Sequence, residues 1–183
     1  KNNERSFFEM DYENNRGMQA VNVDFNPPGD LIVDAISHPY VVTAGDDMTI
    51  TYNIMNLGPN VLEGFGCNDV FYLSTDYTFS PDDILLGNVE HEIVLPNYSY
   101  EEFDFTANIS GVPEGEYYII IYTDARNAFH EVDEENNRAY SAYPFEVQVP
   151  ELFVDTPITF KLKDLVHKDF KFNVYGNINE TVR

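Results

Sequence analysis

Apolar side chains recur along this chain with the spacing of β-strands. Leu31-Ile-Val-Asp-Ala-Ile-Ser37 is a short apolar run that stops ahead of His38 and Pro39. Met48 to Met55 alternates at period two, and Asp69 to Ser74 does much the same. Tyr100 to Ile109 alternates through Phe103 and Phe105, and Tyr117 to Thr123 is β-branched and aromatic. Ala139 to Val149 alternates through Tyr143, Phe145 and Val147. Period two is the signature of a strand with one face buried. Turn-forming clusters separate the runs: Ala44-Gly-Asp-Asp47, Leu57-Gly-Pro-Asn60, Ser80-Pro-Asp-Asp83 and Val112-Pro-Glu-Gly115. No segment sustains a 3.6-residue period. Short strands at this spacing predict an all-β, antiparallel sandwich. Gly115-Glu-Tyr117, opening a late strand just after a turn, has the pattern of a tyrosine corner.

Composition narrows the partners. The 183 residues hold 10 Lys+Arg against 32 Asp+Glu, a formal charge of −22. Nucleic acid and anionic lipid both call for basic surfaces, so neither is an expected partner. The chain is nonetheless 43% hydrophobic and 15% aromatic, enough to build a core. No apolar run approaches the length of a membrane span. The single cysteine, Cys67, admits no intramolecular disulfide and reads as a small buried apolar residue.

An internal repeat sets the domain organisation. Glu9, Asp11, Glu13, Asn14, Asn15 and Arg16 recur as Glu131, Asp133, Glu135, Asn136, Asn137 and Arg138, an offset of 122 residues. Each copy leads to a Pro and a fresh strand, Leu31-Ile-Val-Asp34 after the first and Leu152-Phe-Val-Asp155 after the second. The expected division is the tail of one module with its last strand (1–29), one complete module (30–150) and the opening strands of another β-domain (151–183).

Five stretches stand out: Val42-Thr-Ala-Gly45, Tyr52-Asn-Ile-Met-Asn-Leu-Gly58, Phe71-Tyr-Leu-Ser-Thr-Asp76 with Asp83-Ile-Leu-Leu-Gly87, Pro113-Glu-Gly-Glu-Tyr-Tyr118, and Asp124 through Asn127 to Glu131, Glu134, Asn136 and Asn137. Through them residues 30–149 resemble the CARDB family, the cell adhesion related domain found in bacteria. The resemblance implies an immunoglobulin-like antiparallel β-sandwich of about seven strands, borne in tandem on secreted or surface-anchored proteins, non-catalytic, with an adhesive role. Arg126 departs from the family pattern, which often has an acidic residue there.

Two acidic loops are candidate metal sites, with Ca²⁺ the expected ion. One holds Asp76, Asp82 and Asp83; the other holds Asp124, Asn127, Glu131, Glu134 and Asn136. Closely set carboxylates, amides and hydroxyls suit a hard cation that takes six to eight oxygens. The same residues also make turns by bonding their own backbone. In an immunoglobulin-like topology the two loops fall at opposite ends, where each would face a neighbouring module.

Catalysis is not expected. His38, His91, His130 and His167 stand in no motif with a nucleophile, and no Gly-rich phosphate loop is present. Three sequons, at Asn97, Asn108 and Asn179, arise readily in an Asn-rich chain. The leading expectation is therefore a structural or adhesive module contacting neighbouring modules of an extracellular protein. The alternatives are an accessory module that binds surface polysaccharide or protein beside an extracellular enzyme, and a filament subunit built by strand complementation.

Overall fold

In a computed structural model of the chain, residues 10–11, 16–22 and 27–151 are described. They form nine strands and no helix: β1 (Leu31–Ser37), β2 (Val41–Thr43), β3 (Asp47–Asn56), β4 (Leu62–Ser74), β5 (Ile84–Leu95), β6 (Tyr100–Asn108), β7 (Gly115–Tyr122), β8 (Arg138–Tyr140) and β9 (Phe145–Gln148). One sheet runs β1-β3-β6 and the other β2-β9-β7-β4-β5, with β8 also on β7. Two breaks explain the count. His38-Pro39 ends β1, because proline has no N–H to extend the ladder, and the chain crosses to the second sheet as β2. Residues 141–144, ending in Pro144, divide β8 from β9 along the same edge of β7. Ser141 bridges that break: its N–H donates to Ile119 O at 2.8 Å and its Oγ accepts from Ile119 N at 3.0 Å. Counted as split strands, the nine segments are the seven of an immunoglobulin-like sandwich.

The alternating residues meet between the sheets. Met48, Ile50, Tyr52 and Ile54 from β3 face Phe71, Leu73, Ile119, Ile121 and Phe145 from the other sheet, all buried. Phe71 stacks on Phe105 of β6 with centroids 3.9 Å apart and planes 9° from parallel. Cys67 lies in this core, as its apolar reading anticipated.

The expected strand at Ala139 to Val149 is broken, and three stretches escaped the pattern: β2, the first half of β4, and β5. The first half of β4 carries Gly64 and Gly66 at positive φ, and its pairing with β5 slips between Phe65 and Cys67. A second slip pairs Phe71 with Gly87 but Tyr72 with Leu85. Each bulge shifts the inward phase by one residue, which erases the period-two signal. Short β2 offers too few residues for any period.

Tyr117 makes the corner its motif predicts, its hydroxyl donating to Pro113 O at 3.1 Å. Tyr117→Phe is expected to cost about 1 kcal/mol, the net worth of one such bond, read from the urea midpoint with the slope unchanged.

Residues 152–183, where a following domain was expected, lie outside the described residues, as does most of the first repeat copy. The described part of that copy's surroundings, residues 16–22, forms no strand.

Two acidic loops and a lock on the incoming chain

β4 and β7 run antiparallel, Ser74 opposite Tyr118 and Val70 opposite Tyr122. The loop after β4 and the loop after β7 therefore lie at opposite ends of the sandwich.

In the first loop, turn chemistry engages one carboxylate oxygen each of Asp76 and Asp83, and Asp82 only through its backbone N–H. Asp76 Oδ1 accepts from Thr78 N at 2.6 Å, and Ser74 Oγ accepts from Asp76 N at 3.2 Å. Asp83 Oδ2 accepts from Ser80 N at 2.8 Å, while Asp82 N donates to Ser80 Oγ at 3.3 Å. These are local side-chain caps that fix a turn. Between the caps the loop folds over the outer face of the sheet. Tyr77 lies 4.1 Å from Tyr118, Phe79 packs edge-on to Tyr72, and the Arg138 guanidinium sits 4.4 Å over the Phe79 ring. A cavity of about 210 Å³ opens beside Asp76, Asp82 and Asp83.

The second loop is drawn inward. Asp124 is fully buried at φ +42°, and its two oxygens accept from Ala128 N and Phe129 N, each at 2.9 Å. Asn127, at φ +50°, closes the same turn through its own N–H to Asp124 O at 2.8 Å, and its side chain is exposed. Glu131 is also buried. Its Oε2 accepts from Leu31 N, and its Oε1 from Asn137 Nδ2 at 2.8 Å. Glu134 Oε1 accepts from Glu131 N at 2.9 Å. Asn136 Nδ2 donates to Asp30 Oδ1 at 3.0 Å. The structure thus gathers Asp124, Glu131, Glu134, Asn136 and Asn137, and leaves Asn127 at the rim.

Burial pushes the Glu131 carboxyl up to about 7, against the pull of its bonds from Leu31 and Asn137 and with further push from Asp124 and Glu134. Asp124 is raised for the same first reason, burial, with Glu134 and Asp69 adding to it. Three carboxylates repel one another here, and among the described residues no Arg is paired with them. Arg126 instead reaches Glu90 at 3.0 Å, on the exposed surface. Among the described residues no group of three or more His, Cys, Asp or Glu is arranged to hold a metal.

The loop is also a seat for the chain arriving at β1. Gly29 pairs with Glu131 in a parallel bridge, and Val132 N donates to Gly29 O at 2.9 Å. Across from it stands Asn56, fully buried. Its Oδ1 accepts from Asp30 N at 3.0 Å and Gly58 N at 2.9 Å, and its Nδ2 donates to Asn60 O at 2.7 Å and Leu95 O at 3.0 Å. A Cβ on Gly58 would lie 2.4 Å from Gly29 Cα, so only glycine lets the two backbones approach. Asn56-Leu-Gly58 is legible as a motif in the sequence; its work, gripping residues 29–31, is not.

A second polar cluster had no sequence signal. Asp69, sealed from solvent, accepts from the Tyr52 hydroxyl at 2.6 Å and the Thr123 hydroxyl at 2.7 Å. His91 Nε2 stands 3.0 Å from Asp69 Oδ2 and 2.8 Å from the Tyr52 hydroxyl. Tyr52 belongs to one sheet and Asp69 to the other, so the cluster ties the layers together. Burial and Asp69 hold the Tyr52 phenol well above its ordinary value, and burial pushes the Cys67 thiol up to about 12. A thiol so raised is no nucleophile at neutral pH.

A family model, CARDB, matches residues 28–141. No curated protein sequence matches the chain. Among solved structures, the CARDB domain of a Pyrococcus furiosus protein in complex with di-metal ions is 22% identical, with 68% of this chain and 97% of that chain covered at a TM-score of 0.49. A domain of a protein provisionally described as a cell surface protein, from Methanosarcina acetivorans, is 20% identical over 67% of this chain and 94% of that one, at 0.49. A β-glucosidase from Listeria innocua is 15% identical, with 65% of this chain but 16% of the enzyme covered, at 0.41.

Proposed function

This chain belongs to the CARDB family, and on that premise we propose that it is a non-catalytic structural and adhesive module of a secreted or cell-surface protein, joined end to end with neighbouring modules and stiffened by Ca²⁺. One observation carries the reading. The chain arrives at the end of the sandwich marked by Glu131, through Gly29 and Leu31. It leaves at the opposite end, where Val147 pairs with Gly115. The eight residues of β7 separate those ends, roughly 26 Å at about 3.3 Å per residue. A module with its two ends so placed extends an array instead of folding back on it.

The described module also holds its own first strand, β1 on β3, and its own last, β9 on β7. Strand exchange is not needed to complete it. Among the described residues no helix is long and apolar enough to cross a membrane.

Small-angle scattering from chains fused head to tail tests the spacer role. The maximum dimension is expected to grow by at least roughly 26 Å with each added copy, the separation the strands define. A fused pair no longer than a single chain would overturn it. Protease treatment of intact cells tests the location: peptides of this chain are expected in the released fraction.

A further inference from the structure

Three oxygen atoms in the loop after β7 are buried without a hydrogen-bond partner: Glu134 Oε2, Asn136 Oδ1 and Asn137 Oδ1. Asn137 is 1% exposed, so bulk water does not reach its carbonyl. All three are acceptors. A buried acceptor left unfilled costs about 1–3 kcal/mol, and three within four residues form a local deficit of positive charge. Among the described residues, no Arg is placed to fill it. Arg126 is committed to Glu90, Arg138 lies over the rings of Phe79 and Tyr122, and His130 faces the other oxygen of Glu134 at 3.6 Å from the solvent side.

We propose that Glu134 Oε2, Asn136 Oδ1 and Asn137 Oδ1 are the protein ligands of a hard divalent cation of the Ca²⁺ class, with water completing its shell. One carboxylate and two amide carbonyls make an all-oxygen set, which suits Ca²⁺ and leaves nothing for a softer metal that prefers imidazole or thiolate. Asp124 and Glu131 are not ligands. Each already spends both carboxylate oxygens on N–H donors, and each contributes negative potential instead. The loop after β4 carries no such demand, because among its described residues no buried oxygen is left without a partner.

The ligands are also the seat of the incoming chain. The amide of Asn136 donates to Asp30, and that of Asn137 to Glu131, which in turn holds Leu31 N. A cation on the two carbonyl oxygens polarises both amides and strengthens those bonds, tightening residues 30–31. That this stiffens a junction between modules rests on the function proposed above; the binding of the ion does not.

The test uses the full chain titrated with CaCl₂, and with MgCl₂ at matched ionic strength, by calorimetry and by NMR of the side-chain amides. Saturable calcium binding is expected, magnesium at least tenfold weaker, with the Asn136 and Asn137 amide signals moving together. Glu134→Gln keeps the acceptor for Glu131 N and removes the charge; it is expected to raise the calcium Kd at least tenfold. Asp76→Asn with Asp82→Asn is expected to leave it unchanged. Absence of saturable binding, calcium-insensitive amides, or loss of binding only in the Asp76 and Asp82 variant would each overturn the site. Should Glu134→Gln fail to fold, the amide shifts in the unaltered chain decide. Scattering of the fused chains in EDTA separates the two proposals: elongation without calcium binding refutes the site alone, and binding without elongation refutes the spacer alone.

Discussion

Asp69→Ala is expected to destabilise the module by about 3–5 kcal/mol, the cost of breaking a buried charged network by removing one partner. The substitution strips the acceptor from Tyr52, Thr123 and His91 at once. Tyr52 and Thr123 cannot turn to bulk water, being 1% and 0% exposed, and only His91, 13% exposed at its side chain, has partial access to it. For a module of this size the melting temperature falls by on the order of 15 °C. Urea unfolding should show a lower midpoint with an unchanged slope. Tyr52→Phe removes one donor and leaves two, so its cost is expected near 1–2 kcal/mol. If Asp69→Ala proved no worse than Tyr52→Phe, the network would not be what ties the sheets.

Asn56→Ala is expected to cost about 3 kcal/mol, from several backbone groups left unpaired at roughly 1–3 kcal/mol each and partly rescued by water. Its second effect is local. Asp30 N and Gly58 N lose their acceptor, so residues 29–31 lose the Asn56 anchor and keep those from Glu131, Val132 and Asn136. Amide exchange at Asp30 and Leu31 should accelerate more than exchange along β3. Uniform acceleration would mean that Asn56 supports the fold generally and not the incoming chain.

Much of the fold was legible because the inward positions of β1, β3 and β6 alternate without a slip long enough to hide them. β3 reads Met48, Ile50, Tyr52, Ile54 inward with polar residues between. β5 was not legible, although it is twelve residues long. It is an edge strand with Leu85 58% exposed and a bulge at Gly87, so its two halves point their apolar residues in different phases. The candidate site shows the same limit. Acid-rich loops are visible as composition, and the antiparallel strands before them place them at opposite ends. Which oxygens are already filled depends on contacts 100 residues apart, as between Leu31 and Glu131. Nothing in spacing separates Asp76, which caps its own turn, from Glu134, which has an oxygen to spare. Asp69 and His91 meet only because β4 and β5 pair across a bulge.

For a module joined end to end as proposed, the crossing from β1 to β2 sets how it would carry load. β2 lies parallel to β9, Val41 opposite Glu146 and Thr43 opposite Gln148, with Glu146 N bonded to Tyr40 O and Ala44 N to Gln148 O. Tension on the two ends of the module drags β9 toward its outgoing end while β2 is held back through β1. The bonds between the two strands lie across that pull, so they are sheared together and must rupture as a group. An antiparallel pair loaded from its open end would unzip bond by bond at far lower tension. If the module is pulled by its two ends as proposed, the same short parallel patch, too brief to show any period in the sequence, is therefore where resistance to stretching is expected.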